Sequence, residues 1–221
     1  TIPSNVTKIG SGAFSGLDGL KRVIIPGTVK EIASEAFSYN STLEEVIIMD
    51  GVEKIGERAF AASNKISTII LPESITEIGT EAFRDTNIVE MTLPSKVEIL
   101  QVGVFSGCNS LVNLKLTEGL KIIETEAIRE CKNLDNINIP STVKNINYNP
   151  FANCAKLKNI TINSDLYVYE SGLLMPKARD SILYISNSYI ENLDTFSIPE
   201  GIINFTMNIS KFKNIKTINI P

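Results

Sequence analysis

The sequence predicts a solenoid, a coil of short stacked repeats with a parallel β-sheet along one side. The chain repeats itself about every 23 residues, and an Ile-Pro or Leu-Pro pair is followed eleven residues later by phenylalanine. Seven of the nine prolines occupy one repeat position, and six of the nine phenylalanines occupy another. A fixed period of this length is typical of arrays in which each unit is too short to bury its own apolar face and must stack on its neighbours.

Each proline is preceded by a short predicted strand in which apolar residues alternate with other residues. Alternation with a period of two indicates that one face of the strand is buried. Proline ends the strand because it lacks the N–H group that a ladder needs. Strands that recur once per repeat should stack in parallel, about 4.8 Å apart. The apolar positions are Leu20, Val23, Ile25; Leu43, Val46, Ile48; Ile66, Ile69, Leu71; Leu111, Leu114, Leu116; Leu134, Ile137, Ile139; and Leu157, Ile160, Ile162.

Two further segments complete the repeat. A pair of apolar residues spaced by three follows the proline, as at Val29 and Ile32, and predicts a short extended or turn element on the opposite side of the core. An Ala-Phe pair comes next, as at Ala36 and Phe37, and predicts a buried aromatic spine along the array. The residues around it, such as 34–37, are compatible with a helical turn too short to be stable alone.

Taken together, the recurring positions form the pattern I-P-x-x-V-x-x-I-x-x-x-A-F-x-x-C-x-x-L-x-x-I-x-I-P, which resembles the BspA-like leucine-rich repeat family over residues 1–163. The resemblance implies an α/β leucine-rich-repeat solenoid. In that fold a right-handed superhelix carries a parallel β-sheet on its concave face and short strands, turns or helical turns on its convex face. It also implies a bacterial or protist protein of the cell surface or the secreted fraction, in a family that includes adhesins.

The array is interrupted after Asn163, since 36 residues rather than 23 separate the repeat positions of Asn163 and Pro199. We expect one leucine-rich-repeat domain over 1–221, with regular repeats at 1–163, a hairpin-like insertion at about 164–195 and resumed repeats at 196–221. Ser210 replaces phenylalanine in the last unit, which predicts a thinner core there. Neither end carries the polar cap that a solenoid needs, so we expect a piece of a longer protein.

Composition excludes several classes of function. The formal net charge is −4, with 21 basic residues scattered among 25 acidic ones, which disfavours a nucleic-acid partner. The chain has no histidine, so Ser-His-Asp and Cys-His catalytic groups and histidine-ligated zinc sites are impossible. The sequence has no run of 18 apolar residues, which is the length that would predict a membrane-spanning segment. Catalysis by carboxylates or lysine alone stays open on composition, but it would need a pocket that a regular solenoid does not obviously provide. We predict no enzyme activity, no catalytic residues, no metal site and no cofactor.

The three cysteines, Cys108, Cys131 and Cys154, occupy one position in consecutive repeats. Asn40, Ser63 and Thr86 hold this position in the earlier repeats. This set of small polar residues indicates a buried side chain that bonds to the backbone of a turn. Free buried thiols are the favoured interpretation, and the alternatives are one disulfide between neighbouring repeats or a metal site.

The outward positions of the predicted strands are the candidate binding surface. Three isoleucines in line would form an exposed apolar stripe beside a charged and polar row, and exposed apolar surface usually marks a contact site. Strand propensity, or cover by a missing N-terminal part, would also explain the stripe. The candidate ligand-binding residues are Ile24, Ile47, Ile70, Arg22, Glu45, Thr68, Glu90, Thr92 and Lys115.

The sequence thus predicts a non-enzymatic interaction or adhesion module of a cell-surface or secreted protein. Its ligand on the concave sheet would be a protein, such as host extracellular matrix or another cell surface, with a glycan as the other option. Asparagines such as Asn136 and Asn138 could bond to sugars, although a biased genome composition is the favoured explanation of their number. The alternatives are a structural spacer and the non-catalytic repeat region of a larger surface enzyme.

Overall fold

The repeats coil into a β-solenoid of about eight turns, with parallel sheets and little helix. The computed structural model describes residues 2–191, 193–209 and 212–221. Ser210, at the phenylalanine position of the last repeat, therefore lies outside the described residues. Each regular repeat contributes one strand to a first sheet, one short strand to a second sheet and a pair of tight turns to a third side.

The strands of the first sheet lie just before the proline position of each repeat, and in the regular array they pair in parallel. They are β1 (Arg22–Ile25), β3 (Glu45–Ile48), β5 (Thr68–Ile70), β7 (Glu90–Thr92), β9 (Asn113–Lys115), β11 (Asn136–Ile139) and β13 (Asn159–Ile162). After the irregular segment, β17 (Thr195–Ser197) and β18 (Thr217–Asn219) form another parallel pair. The predicted alternation is confirmed: Val23 and Ile25 are buried and Arg22 is exposed.

The second sheet is built from two-residue strands that follow the proline. They are β2 (Glu31–Ile32), β4 (Lys54–Ile55), β6 (Glu77–Ile78), β8 (Ile99–Leu100), β10 (Ile122–Ile123) and β12 (Asn145–Ile146). In each of them the second residue is buried, so this sheet closes the core from a different direction than the first. The second residue of the predicted apolar pair, such as Ile32, therefore lies in an extended element, whereas the first, such as Val29, precedes it.

The third side carries the phenylalanines. Phe14, Phe37, Phe60, Phe83 and Phe105 stack face to face, with ring centroids 5.1, 5.5, 5.9 and 5.6 Å apart. From Phe37 onward these rings are fully buried, and such burial stabilises by about 1.5–3 kcal/mol per side chain. The predicted aromatic spine is confirmed up to Ile128, which replaces phenylalanine in the next repeat.

The backbone around each phenylalanine makes two consecutive tight turns rather than the expected helical turn. In the second repeat Glu35 and Tyr39 have φ of 57°, a left-handed conformation that a right-handed helix excludes. The N–H groups of Glu35, Phe37 and Tyr39 donate to the carbonyls of the following repeat at 2.9, 2.7 and 2.9 Å. The turns thus satisfy their backbone groups between repeats rather than within a helix.

Both sheets are interrupted between the fourth repeat and the next. The first sheet separates into β1-β3-β5, β7-β9 and β11-β13, and the second into β2-β4-β6 and β8-β10-β12. The sequence gives the reason for the shared interruption: Thr86-Asn87-Ile88 is one residue shorter than the corresponding Ser63-Asn64-Lys65-Ile66. The third side continues across this boundary, because Phe83 N–H donates to Val104 O at 3.0 Å. We call this interruption the seam.

The irregular segment after Asn163 contains an antiparallel three-stranded sheet, formed by β14 (Tyr167–Glu170), β15 (Leu173–Pro176) and β16 (Tyr184–Ile185). Helix α1 (Asn187–Ile190) follows it and is capped by the Ser186 side chain. Leu174 and Tyr184 pack in the core of the regular array, whereas Leu173, Met175 and Ile185 belong to a second core. This sheet therefore separates two apolar cores and buries residues on both of its faces.

Candidate binding surface on the first sheet

The outward side chains of the first sheet form two parallel rows. The isoleucine row consists of Ile24, Ile47, Ile70, Thr92, Lys115, Asn138 and Thr161. The charged row consists of Arg22, Glu45, Thr68, Glu90, Asn113, Asn136 and Asn159. All nine candidate ligand-binding residues named from the sequence lie in these two rows, on β1, β3, β5, β7 and β9. The structure therefore brings them onto one face of one sheet.

The three isoleucines are direct neighbours across the ladder. Ile24 pairs with Ile47, and Ile47 pairs with Ile70. Ile24 and Ile47 are half-buried, whereas Ile70 is 66% exposed at the edge of its three-stranded sheet. Contact with water is unfavourable for a large apolar side chain with this exposure, and its burial against a partner lowers the free energy.

Charges on the two rows are unevenly paired. Arg22 Nε lies 2.6 Å from Glu45 Oε2, and both side chains are about half exposed, so solvent and salt weaken this ion pair. Lys115 has no carboxylate within ion-pair distance among the residues that the structure describes. The ammonium group of Lys115 is therefore available to a ligand.

An open depression of about 520 Å³ lies on this face beyond Ile70. This depression was not predicted from the sequence. It coincides with the 22-residue spacing from Pro72 to Pro94, which is one residue shorter than the usual repeat. Buried Met91 and Leu114 line it together with side chains of both rows. Its lining residues are Ile69, Ile70, Leu71, Glu90, Met91, Thr92, Asn113, Leu114, Lys115, Asn136 and Asn138.

The cysteine position has a structural role. All three thiols are free and buried, which is the interpretation that the sequence favoured. Cys108 Sγ donates to Phe83 O at 3.1 Å, and Cys131 Sγ donates to Phe105 O at 3.1 Å. Ser63 Oγ makes the equivalent bond to Phe37 O at 2.8 Å in an earlier repeat. Serine and cysteine at this position thus link consecutive repeats through the backbone of a turn, whereas Thr86 Oγ1 donates to Phe83 O of its own repeat at 2.8 Å.

Burial raises the pKa of the Cys108 thiol to about 12, and the pKa of Cys131 is raised by its hydrogen bond with Cys154 and by burial. Such thiols remain protonated and unreactive at neutral pH. Within residues 2–191, 193–209 and 212–221, no group of three or more Cys, Asp or Glu side chains could hold a metal ion. In the same ranges no helix has the length and apolar character needed to cross a membrane.

Comparison with known families and structures agrees with this geometry. The family model described as a BspA type leucine-rich repeat region matches the chain in six copies, over residues 1–112, 77–188 and 103–221. A search among curated proteins finds no match.

Solved structures of similar fold come from bacterial proteins. A leucine-rich cell surface protein from Faecalibacterium prausnitzii is 32% identical, with a TM-score of 0.77 over 89% of this chain and 54% of its own. A leucine-rich repeat protein from Bacteroides ovatus is 27% identical, with a TM-score of 0.71 over 90% and 49%. The pneumococcal vaccine antigen PcpA, at 20% identity, shares the fold with a TM-score of 0.64 over 97% and 50%. The chain spans about half the length of these proteins.

Proposed function

Because the chain belongs to the BspA-type leucine-rich repeat family, we propose that it is a non-enzymatic recognition module of a cell-surface or secreted protein, binding a protein ligand on the outward face of its first sheet. The observation that carries the proposal is the isoleucine row beside the charged row, in which Ile70 is exposed and Ile24 and Ile47 are half-buried. Repeat proteins of this kind, with cell-surface structural neighbours, support a role in protein interaction. The ligand, the adhesive role and the surface location are parts of the proposal.

The chemistry of the two rows supports a protein ligand. The apolar half runs from Ile24 to Ile70. Burial of its apolar area against a partner removes that area from water and so favours binding. Charged residues flank it at Arg22, Glu45 and Glu90, and such groups select a partner and its orientation more than they add affinity. No described aromatic side chain stands in either row, so the stacking platform that sugars commonly use is absent from this face.

The test compares three purified proteins by surface plasmon resonance on a panel of immobilised extracellular-matrix proteins. The first is the wild type, and the second carries Ile24→Thr, Ile47→Thr and Ile70→Thr. Threonine keeps the β-branch that favours a strand but removes apolar area. The third is a matched control with Glu31→Thr, Lys54→Thr and Glu77→Thr, which changes exposed residues of the second sheet in the same three repeats.

We expect the wild type and the control to bind at least one panel member alike. The isoleucine variant should bind at least about tenfold more weakly, which corresponds to about 1.4 kcal/mol. Its Tm should stay close to that of the control. Equal binding by all three proteins would assign the interaction to another surface. An absence of binding to every panel member would favour a structural spacer. A parallel fall in Tm would show that the isoleucines act through stability.

A further inference from the structure

The depression on the first sheet lies where the ladder is interrupted. β5 is separated from β7 at the seam, and β9 is separated from β11 one pair later. The 520 Å³ depression is lined by residues from all four of these strands. The one-residue shortening at Thr86-Asn87-Ile88 accompanies the breaks between β5 and β7 and between β6 and β8, whereas the break between β9 and β11 occurs where the repeat keeps its usual spacing of 23 residues.

The interruptions also leave backbone donors without partners. Leu93 N–H donates to Lys115 O at 2.9 Å, within the β7-β9 pair. The corresponding bonds from Leu71 to Thr92 and from Leu116 to Asn138 are absent, although all four of these residues are described. Leu71 lines the depression and is half-buried. An unpaired N–H in a partly buried position favours a ligand that brings a carbonyl oxygen.

The charge of the depression specifies a second feature of the ligand. Lys115 lines it and has no described carboxylate within ion-pair distance, and its row neighbours Thr92 and Asn138 are neutral. Glu90 stands on the other row and disfavours a second negative charge there. A single carboxylate placed over the isoleucine row therefore complements this surface.

The unpaired Leu71 N–H restricts the backbone of such a ligand. An extended peptide that crosses the depression presents carbonyl oxygens along its length, and one of them can accept this hydrogen bond.

We propose that the depression at the seam binds an extended segment of a protein partner, with a backbone carbonyl on the Leu71 N–H, an apolar side chain against Ile70 and a carboxylate on Lys115. The inference rests on the proposed recognition function and identifies the part of the surface that confers specificity. The one-residue shortening at Thr86-Asn87-Ile88 is then a functional feature of the array rather than an irregularity.

The probe is a phage-displayed library of random 12-residue peptides, selected on the wild-type chain. We expect enriched peptides to share an apolar residue and an Asp or Glu. Enriched sequences that carry no apolar residue, or no acidic residue, would overturn the proposal. So would the absence of any enriched peptide, whether or not the chain captures sugars on a glycan array.

Two variants then locate the enriched peptides on the structure. Insertion of a serine between Asn87 and Ile88 restores the spacing of Cys108-Asn109-Ser110-Leu111 and should close the seam. Lys115→Ala removes the unpaired ammonium group, and Lys65→Ala is its matched control on an exposed loop. We expect peptide affinity to fall at least tenfold for the insertion and for Lys115→Ala, and to remain unchanged for Lys65→Ala, with all variants folded by circular dichroism.

Peptides that bind the insertion variant as tightly as the wild type would contradict the role of the seam. If the insertion variant does not fold, Lys115→Ala alone decides the outcome, and undiminished binding would refute the proposal. Failure here is distinguishable from failure of the proposed function. If only the seam proposal fails, the isoleucine variant still loses binding to the matrix ligand, whereas the insertion variant and Lys115→Ala keep it. If the proposed function fails, the isoleucine variant also keeps that binding.

Discussion

At the scale of single residues, one repeat position shows how different side chains perform the same task. Asn40, Ser63 and the cysteines are all buried, and each donates a hydrogen bond to the carbonyl of a phenylalanine-position residue in the preceding repeat. A buried carbonyl without such a donor would cost about 1–3 kcal/mol. The requirement for a small donor, rather than sulfur chemistry, therefore explains the cysteines.

We predict that Cys108→Ser preserves the free energy of unfolding to within about 1 kcal/mol at pH 7, since serine makes the same bond at position 63. The variant should also lose less stability at alkaline pH than the wild type does. Burial raises the pKa of Cys108 from 9.0 to about 12, so the folded thiol keeps a proton that the unfolded thiol releases. This contribution to stability is fully present below pH 9 and is lost as the pH rises towards 12.

Urea unfolding of wild type and Cys108→Ser, measured at neutral pH and again above pH 9, checks this prediction. The difference in stability between the two proteins should shift in favour of the variant as the pH rises. A difference independent of pH would show that the thiol of Cys108 is not shielded from solvent as the structure indicates.

At the scale of elements, the irregular sheet of β14, β15 and β16 depends on close contacts at its first turn. Ser171 and Gly172 have φ of 47° and 75°, which fits a tight hairpin between β14 and β15. A Cβ atom on Gly172 would lie 2.2 Å from the Cβ of Tyr189 and 2.6 Å from the Oγ of Ser186. The glycine thus allows the hairpin to pack on the start of α1.

We predict that Gly172→Ala destabilises the protein by more than Gly201→Ala. Both glycines have positive φ, at 75° and 90°, so both substitutions carry the left-handed backbone penalty of about 1–2 kcal/mol. Only at Gly172 does the new methyl group meet a close side chain, whereas at Gly201 the nearest atom is Arg179 O at 3.4 Å. Overpacking of this kind adds about 1–3 kcal/mol.

Thermal unfolding of the two glycine variants separates strain from steric overlap. A Tm loss for Gly172→Ala clearly larger than that for Gly201→Ala is the expected result. Equal losses would mean that the hairpin does not pack against α1 in solution as the structure describes.

The sequence pattern predicted the repeated elements because their periodicity follows directly from burial. Val23 and Ile25 alternate with outward residues, and the phenylalanines stack at the predicted position. The paired turns could not be predicted, because Glu35 and Tyr39 give no local sign that the backbone there is left-handed. The depression was missed because the sequence does not show where neighbouring strands separate, and only one of the two breaks along it coincides with the shortening at Thr86-Asn87-Ile88.

At the scale of the whole molecule, the array divides its residues into those that the repeat determines and those that it leaves free. Inward positions of both sheets and the phenylalanine side are occupied by the core, which continues from Ile9 to Tyr184. The outward rows of the first sheet are under no such constraint, yet they carry three consecutive isoleucines and an unpaired lysine. Function is therefore expected on this face.

Hydrogen–deuterium exchange of the chain, alone and bound to the matrix protein it captures, tests this central claim most directly. We predict that binding slows exchange in the first-sheet strands from β1 to β9 and leaves β2, β4 and β6 of the second sheet unchanged. Protection confined to the second sheet or to the turns beside the phenylalanines would contradict the assignment of the recognition surface to the first sheet.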